Sequence, residues 1–66
     1  MAVARVTKVT ASSNQGFSQA VEAGIQRAGQ TLRGITGVEV LSQKAKVTNG
    51  KIEEYRVTME ITFILE

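Results

Sequence analysis

Residues 54–66, EYRVTMEITFILE, carry the pattern on which the fold of this chain depends. Tyr55, Val57, Met59, Ile61, Phe63 and Leu65 fall on one side of an extended chain. Glu54, Arg56, Thr58, Glu60, Thr62 and Glu66 fall on the other, with Ile64 the single exception. Side chains in a strand alternate faces with a period of two, so the pattern predicts a half-buried strand with one apolar and one wet face. Val, Ile, Thr, Tyr and Phe also suit a pleated surface. The wet face, rich in Thr and charge, is where function is to be sought.

Working backwards, Thr48-Asn49-Gly50-Lys51 is the clearest turn in the chain. Asn-Gly between two strand-like runs predicts a type I′ hairpin. The strand before it is expected to start at Val38, after a short connection Ile35-Thr36-Gly37. Val38 and Val40 share one face, whereas Leu41, Ala45 and Val47 fall on the other. That change of phase predicts a bulge or sharp bend near Leu41 and Ser42.

Upstream, the spacing predicts a helix from Ser13 or Asn14 to Arg33, its apolar face made by Phe17, Val21, Ile25, Ala28 and Leu32 with Ala20 and Gly24. Ser12 and Gln15 fit a capping box at its start. Arg33 in its last turn complements the dipole, and Gly34 suits the left-handed cap. Gly24 and Gly29 each cost about 1 kcal/mol relative to Ala inside a helix. Close approach of helix to sheet offsets that cost at Gly24; nothing in the sequence accounts for Gly29. Before the helix, Val3 to Ala11 reads as a first strand whose imperfect alternation and charges suggest an edge position or a bulge.

The expected fold is therefore α+β, with element order β-α-β-β. If the helix runs back across the sheet, the first two strands are parallel in direction and the third opposes both. A three-stranded antiparallel sheet then requires the order 1-3-2, packed on one helix. One helix covers only one face, so the wet face must meet water or another subunit. The chain is expected to be one domain over residues 1–66. A chain this short buries only about 60% of its unfolded surface. With no Cys and no His it has neither disulfides nor an ordinary zinc site to compensate, which leaves self-assembly.

Composition excludes much chemistry. Without His or Cys there is no conventional triad, imidazole base or thiolate nucleophile. Gly24, Gly29 and Gly34 lack the phosphate-loop pattern and read as structural. The only carboxylates are six Glu, and Glu54 and Glu60 share the wet face about 20 Å apart, too far to act as a pair in one subunit. Copies of one Glu meeting at a symmetry axis could still make an oxygen site for calcium or magnesium, although solvated or ion-paired Glu is the plainer reading. Lys44, Lys46 and Lys51 cluster at the hairpin; an anion site and simple edge protection both account for them, and edge protection is the plainer. A net charge of +2, no Trp, and aromatic residues in apolar registers argue against nucleic-acid binding. The N-terminal MAVARVTKV has no continuous apolar run, so neither a signal peptide nor a membrane span is expected and the cytoplasm is the default location.

Arg27-Ala28-x-x-Thr31-Leu32-Arg33 late in the helix, Glu39-Val40 in the second strand, and Tyr55-x-Val57-Thr58 leading to Phe63-x-Leu65-Glu66 together resemble the dodecins, very small flavin-binding proteins. The resemblance covers nearly the whole chain. It implies a hollow homododecamer of cubic symmetry, helices outside and sheets facing inward, that stores or buffers flavin and catalyses nothing. It also implies pairs of flavins at twofold axes, stacked on a Trp near the start of the second strand, with a Gln of the third strand on the ring edge.

Alignment on Glu39-Val40 puts Gly37 at the Trp position, and alignment on Val57-Thr58 puts Arg56 at the Gln position. Lys44 falls where many relatives carry a basic residue able to meet a flavin phosphate. Losing the Trp removes stacking of roughly 0.5–1.5 kcal/mol beyond area burial. Arg56 donates only, so it cannot accept from the flavin imide, but it can stack on a ring or hold a phosphate or carboxylate. The leading expectation is a flavin, FMN or riboflavin or a breakdown product, held at Gly37, Lys44 and Arg56. The alternative is the same assembly without flavin, binding a divalent cation such as calcium, another small anion, or serving as a scaffold. Some dodecin-like proteins lacking the Trp are associated with calcium. An RNA-binding module is a third, weaker reading.

Overall fold

The computed structural model describes residues 3–65. Strand β1 (Val3–Ser13) leads to helix α1 (Phe17–Gly29), then to β2 (Ile35–Thr48) and β3 (Lys51–Leu65). The sheet has the order β1-β3-β2, and β3 runs antiparallel to both neighbours, as expected. Glu66, expected at the end of β3, lies outside the described residues.

The alternation of β3 produces the core. Val57, Met59 and Ile61 are fully buried beneath Ala20 and Ala28 of α1. Val9, Ala11, Phe17, Val21, Leu32 and Ile35 pack around them. Toward the ends of β3 the burial fades: Tyr55 and Phe63 are half-buried and Leu65 is exposed. Tyr55 meets the edge of Phe17, ring centroids 4.9 Å apart at 81°, an arrangement favoured by the ring quadrupoles.

The helix differs from expectation at both ends. β1 continues to pair as far as Ser13, opposite Tyr55, so Ser12 and Ser13 are committed to the sheet. No capping box forms: Gly16 is the N-cap residue, with no side-chain cap, and Ser13 Oγ accepts from the Gln15 N–H at 3.0 Å. The helix stops at Gly29 and not at Arg33, which makes Arg27 the basic residue of its last turn. The Thr31 and Leu32 N–H groups both donate to Ala28 O, closing the helix tightly and turning Leu32 toward the core. Gly29 thus stands at the helix end and not in its interior. Gly34 does adopt a left-handed φ of 73°, but beyond the helix, where its carbonyl accepts from the Ile64 N–H at 3.0 Å.

β2 starts at Ile35, opposite Phe63, so the expected connection is already strand. The expected bulge near Leu41 is present as a register shift between Val40 and Ser42; two more occur between Ile35 and Gly37 and between Lys46 and Val47. β1 is an edge strand in unbroken register with β3, without a bulge. Asn49 and Gly50 have φ of 53° and 75°, the two positive values a type I′ turn requires.

Candidate functional site

Helix α1 packs on β1 and β3 from one side, leaving the opposite face of the sheet open. The register arranges that open face in rows running across the strands. Val6, Thr62 and Gly37 form one row; Lys8, Glu60 and Glu39 the next; Thr10, Thr58 and Ser42 a third; Ser12, Arg56 and Lys44 a fourth. Glu54 and Lys46 follow toward the hairpin.

Each row has its own chemistry. In the third, the Thr10 and Thr58 hydroxyls hydrogen-bond at 3.0 Å. In the fourth, Lys44 stands directly opposite Arg56, a like-charge pair that disfavours the bare sheet. Arg56 is on the central strand, so protection of a sheet edge does not explain it. Its Nε–H donates to Glu54 Oε1, leaving the terminal amino groups free of that contact. In the second row Glu39 stands opposite Glu60, a second like-charge pair of opposite sign. The hairpin holds its own ion pair: Lys46 Nζ lies 3.5 Å from Glu53 Oε2, which also accepts from Thr48 Oγ1 at 3.1 Å.

Of the three site residues expected from sequence, Lys44 and Arg56 are brought together. Gly37 is not with them: it lies opposite Thr62, six residues along β3 from Arg56, roughly 20 Å away within one chain. A Cβ at Gly37 would meet nothing within 4 Å, so the position is an open slot. The Glu39–Glu60 pairing is the one an unbroken ladder from the Thr48–Lys51 turn would give, because the irregularities at Lys46/Val47 and Val40/Ser42 offset each other. Tyr55, Phe17 and Phe63 all lie on the helix side, so the open face offers no aromatic surface for stacked bases. Among the described residues there is no group of three or more His, Cys, Asp or Glu arranged to hold a metal ion. On the helix side, an apolar groove of about 350 Å³ runs between α1 and β1, with Arg27 and Thr31 among its lining residues. No helix among the described residues is long and apolar enough to cross a membrane.

The family model described as Dodecin matches residues 3–66. The dodecin of Thermus thermophilus is 30% identical over 64 residues, covering 97% of this chain and 93% of its own. The solved dodecin of Streptomyces davaonensis superposes with a TM-score of 0.93 at 35% identity, covering 98% of this chain and 96% of that one. A calcium dodecin of Mycobacterium tuberculosis, described as calcium-chelating with a novel calcium-binding site, superposes with a TM-score of 0.83 at 29% identity, over 97% of this chain and 91% of that one.

Proposed function

The chain belongs to the dodecin family, and from that premise we propose that it is a non-catalytic, self-assembling protein, a homododecamer, that holds a flavin on the open face of its sheet. The carrying observation is that face: polar, uncovered by the helix, and bearing two abreast cations, Lys44 and Arg56. A core of Val57, Met59, Ile61, Ala20 and Ala28 is small for independent stability, which favours burial against sister chains.

The residues fit a flavin in two respects. The slot at Gly37 leaves room for a planar ring, and Lys44 with Arg56 suits an anionic group such as the phosphate of FMN. Because these positions lie roughly 20 Å apart along one sheet, a flavin meeting both draws them from two copies. The flavin supplies the light-absorbing and redox chemistry; the chain supplies only a place to bind. An absence of His and Cys throughout the sequence agrees with a storage role. The purified protein is expected to be yellow, or to quench the fluorescence of added FMN or riboflavin. A colourless protein that leaves both fluorescent at high concentration ends the flavin reading.

A second reading has its own observation. Glu39 faces Glu60 on the same open face, and a relative of the same fold is described as calcium-chelating. Under it, the assembly holds a divalent cation at carboxylates gathered from several copies. Calorimetric titration with calcium chloride separates the two: heat that disappears in Glu60→Gln supports the cation, and no heat leaves the flavin reading alone.

A further inference from the structure

The tip of the β2–β3 hairpin is built for a spontaneous chemical modification. Asn49 is followed by Gly50, both residues are exposed, and together they form the whole two-residue loop between Thr48 and Lys51. A Cβ built at Gly50 would find no atom within 4 Å, so the space beside its α-carbon is open. No turn hydrogen bond occupies the Gly50 N–H. The loop is poorly anchored, since Val47 and Ile52, which pair just behind it, are 60% and 51% exposed. Lys51 follows directly, and Lys46, two rows back, is paired with the Glu53 carboxylate.

We propose that Asn49 is a deamidation site through which the hairpin tip changes charge and geometry with time. The Gly50 backbone nitrogen loses its proton and attacks Asn49 Cγ, forming a nitrogen–carbon bond and a cyclic succinimide. The side-chain nitrogen leaves as ammonia, carrying the proton. Water then opens the ring at either carbonyl, giving aspartate or isoaspartate; nothing is oxidised or reduced. Glycine at position 50 matters because it puts no side chain in the path of attack.

Either product has a structural consequence. Aspartate introduces an anion among Lys46, Lys51 and Glu53, where Lys46 and Thr48 already converge on the Glu53 carboxylate. Isoaspartate adds a methylene to the main chain, so the tight loop no longer closes in register and the pairs Thr48–Lys51 and Val47–Ile52 loosen. Ring closure requires Asn49 to leave its left-handed conformation, so its rate reports how often the hairpin tip opens.

The chain contains its own control, because its other asparagine, Asn14, is also exposed but followed by Gln15. The full-length protein, in whatever assembly it forms, is incubated at mildly alkaline pH and sampled by peptide mass spectrometry and isoaspartyl methyltransferase labelling. Asn49 is expected to convert several-fold faster than Asn14, with isoaspartate detectable at position 49. Asn49→Gln should abolish labelling there, and a wild-type sample held in urea should convert at least as fast as the folded one. Equal rates at the two asparagines, or an Asn49 that reacts in urea but not in the folded protein, overturn the proposal.

Discussion

Gly24 of α1 sits directly over Met59 of β3: a Cβ built on the glycine would lie 2.9 Å from the Met59 methyl and 3.2 Å from Ala11 Cβ. The helix approaches the sheet this closely because position 24 has no side chain. Gly24→Ala gains about 1 kcal/mol of helix propensity but overpacks the core at roughly 1–3 kcal/mol. Met59 is fully buried, and because the atom met is the end of its flexible side chain, how far that methyl can shift sets the size of the effect. The substitution is expected to lower stability by up to about 2 kcal/mol on balance, read as a lower urea midpoint at fixed protein concentration. A raised midpoint would show that Met59 repacks freely.

Gly29 and Gly34 should behave oppositely to each other. An added Cβ at Gly29 meets nothing within 4 Å, so Gly29→Ala is expected to raise stability by a few tenths to about 1 kcal/mol. At Gly34 the backbone has φ of 73°, and an added Cβ comes within 3.3 Å of Ile64 O. Gly34→Ala should therefore cost about 1–2 kcal/mol. Thermal melts of the two variants side by side check both signs.

Assembly should depend on β2. Val38 and Val40, opposite Ile61 and Met59 on the helix side, remain 38% and 40% exposed because α1 packs on β1 and β3. Burial of such surface between copies is the stabilisation a small core lacks. Wild type is expected to sediment as a single large species, and Val40→Lys as smaller ones. Unchanged sedimentation of Val40→Lys would remove this strand from the interface.

Flavin binding should respond to restoration of the two residues the resemblance implies. Gly37 has room for a side chain, and Gly37→Trp with Arg56→Gln supplies a stacking surface and a hydrogen-bond acceptor. The pair is expected to tighten riboflavin binding roughly threefold to tenfold in fluorescence titrations. No gain from the double variant would place the ring elsewhere on the face.

Charge selectivity gives a separate test. Removing Lys44 takes away one of the two abreast cations. Lys44→Ala should weaken FMN more than riboflavin, and the difference should shrink as salt is raised. Equal loss for both flavins would assign Lys44 to folding or assembly in place of phosphate contact.

Much of this architecture was legible in local pattern. The alternation from Tyr55 to Phe63 identified the central strand and its two faces, because a period of two needs only neighbouring residues. Asn49-Gly50 located the hairpin, and the direction of the helix connection fixed the order of the sheet. The helix ends differ because tertiary pairing overrides local signals: Ser12 resembles a cap and Ser13 a helix start, but they pair with Arg56 and Tyr55, and Ala28 O closes the helix before Arg33.

The rows of the open face are a different matter. The turn aligns Thr48 with Lys51, and an unbroken ladder from there would set Lys44 opposite Tyr55. The irregularity between Lys46 and Val47 moves Lys44 opposite Arg56, and the one between Val40 and Ser42 cancels that shift, returning Glu39 to the place opposite Glu60 that an unbroken ladder would give it. By itself, then, the sequence determined which elements form, their order and which face is wet, since periodicity is a property of adjacent residues. Only the tertiary structure decided that Lys44 meets Arg56, because a bulge slides the pairing by one residue until another offsets it, and where a bulge falls depends on how two distant strands pack together.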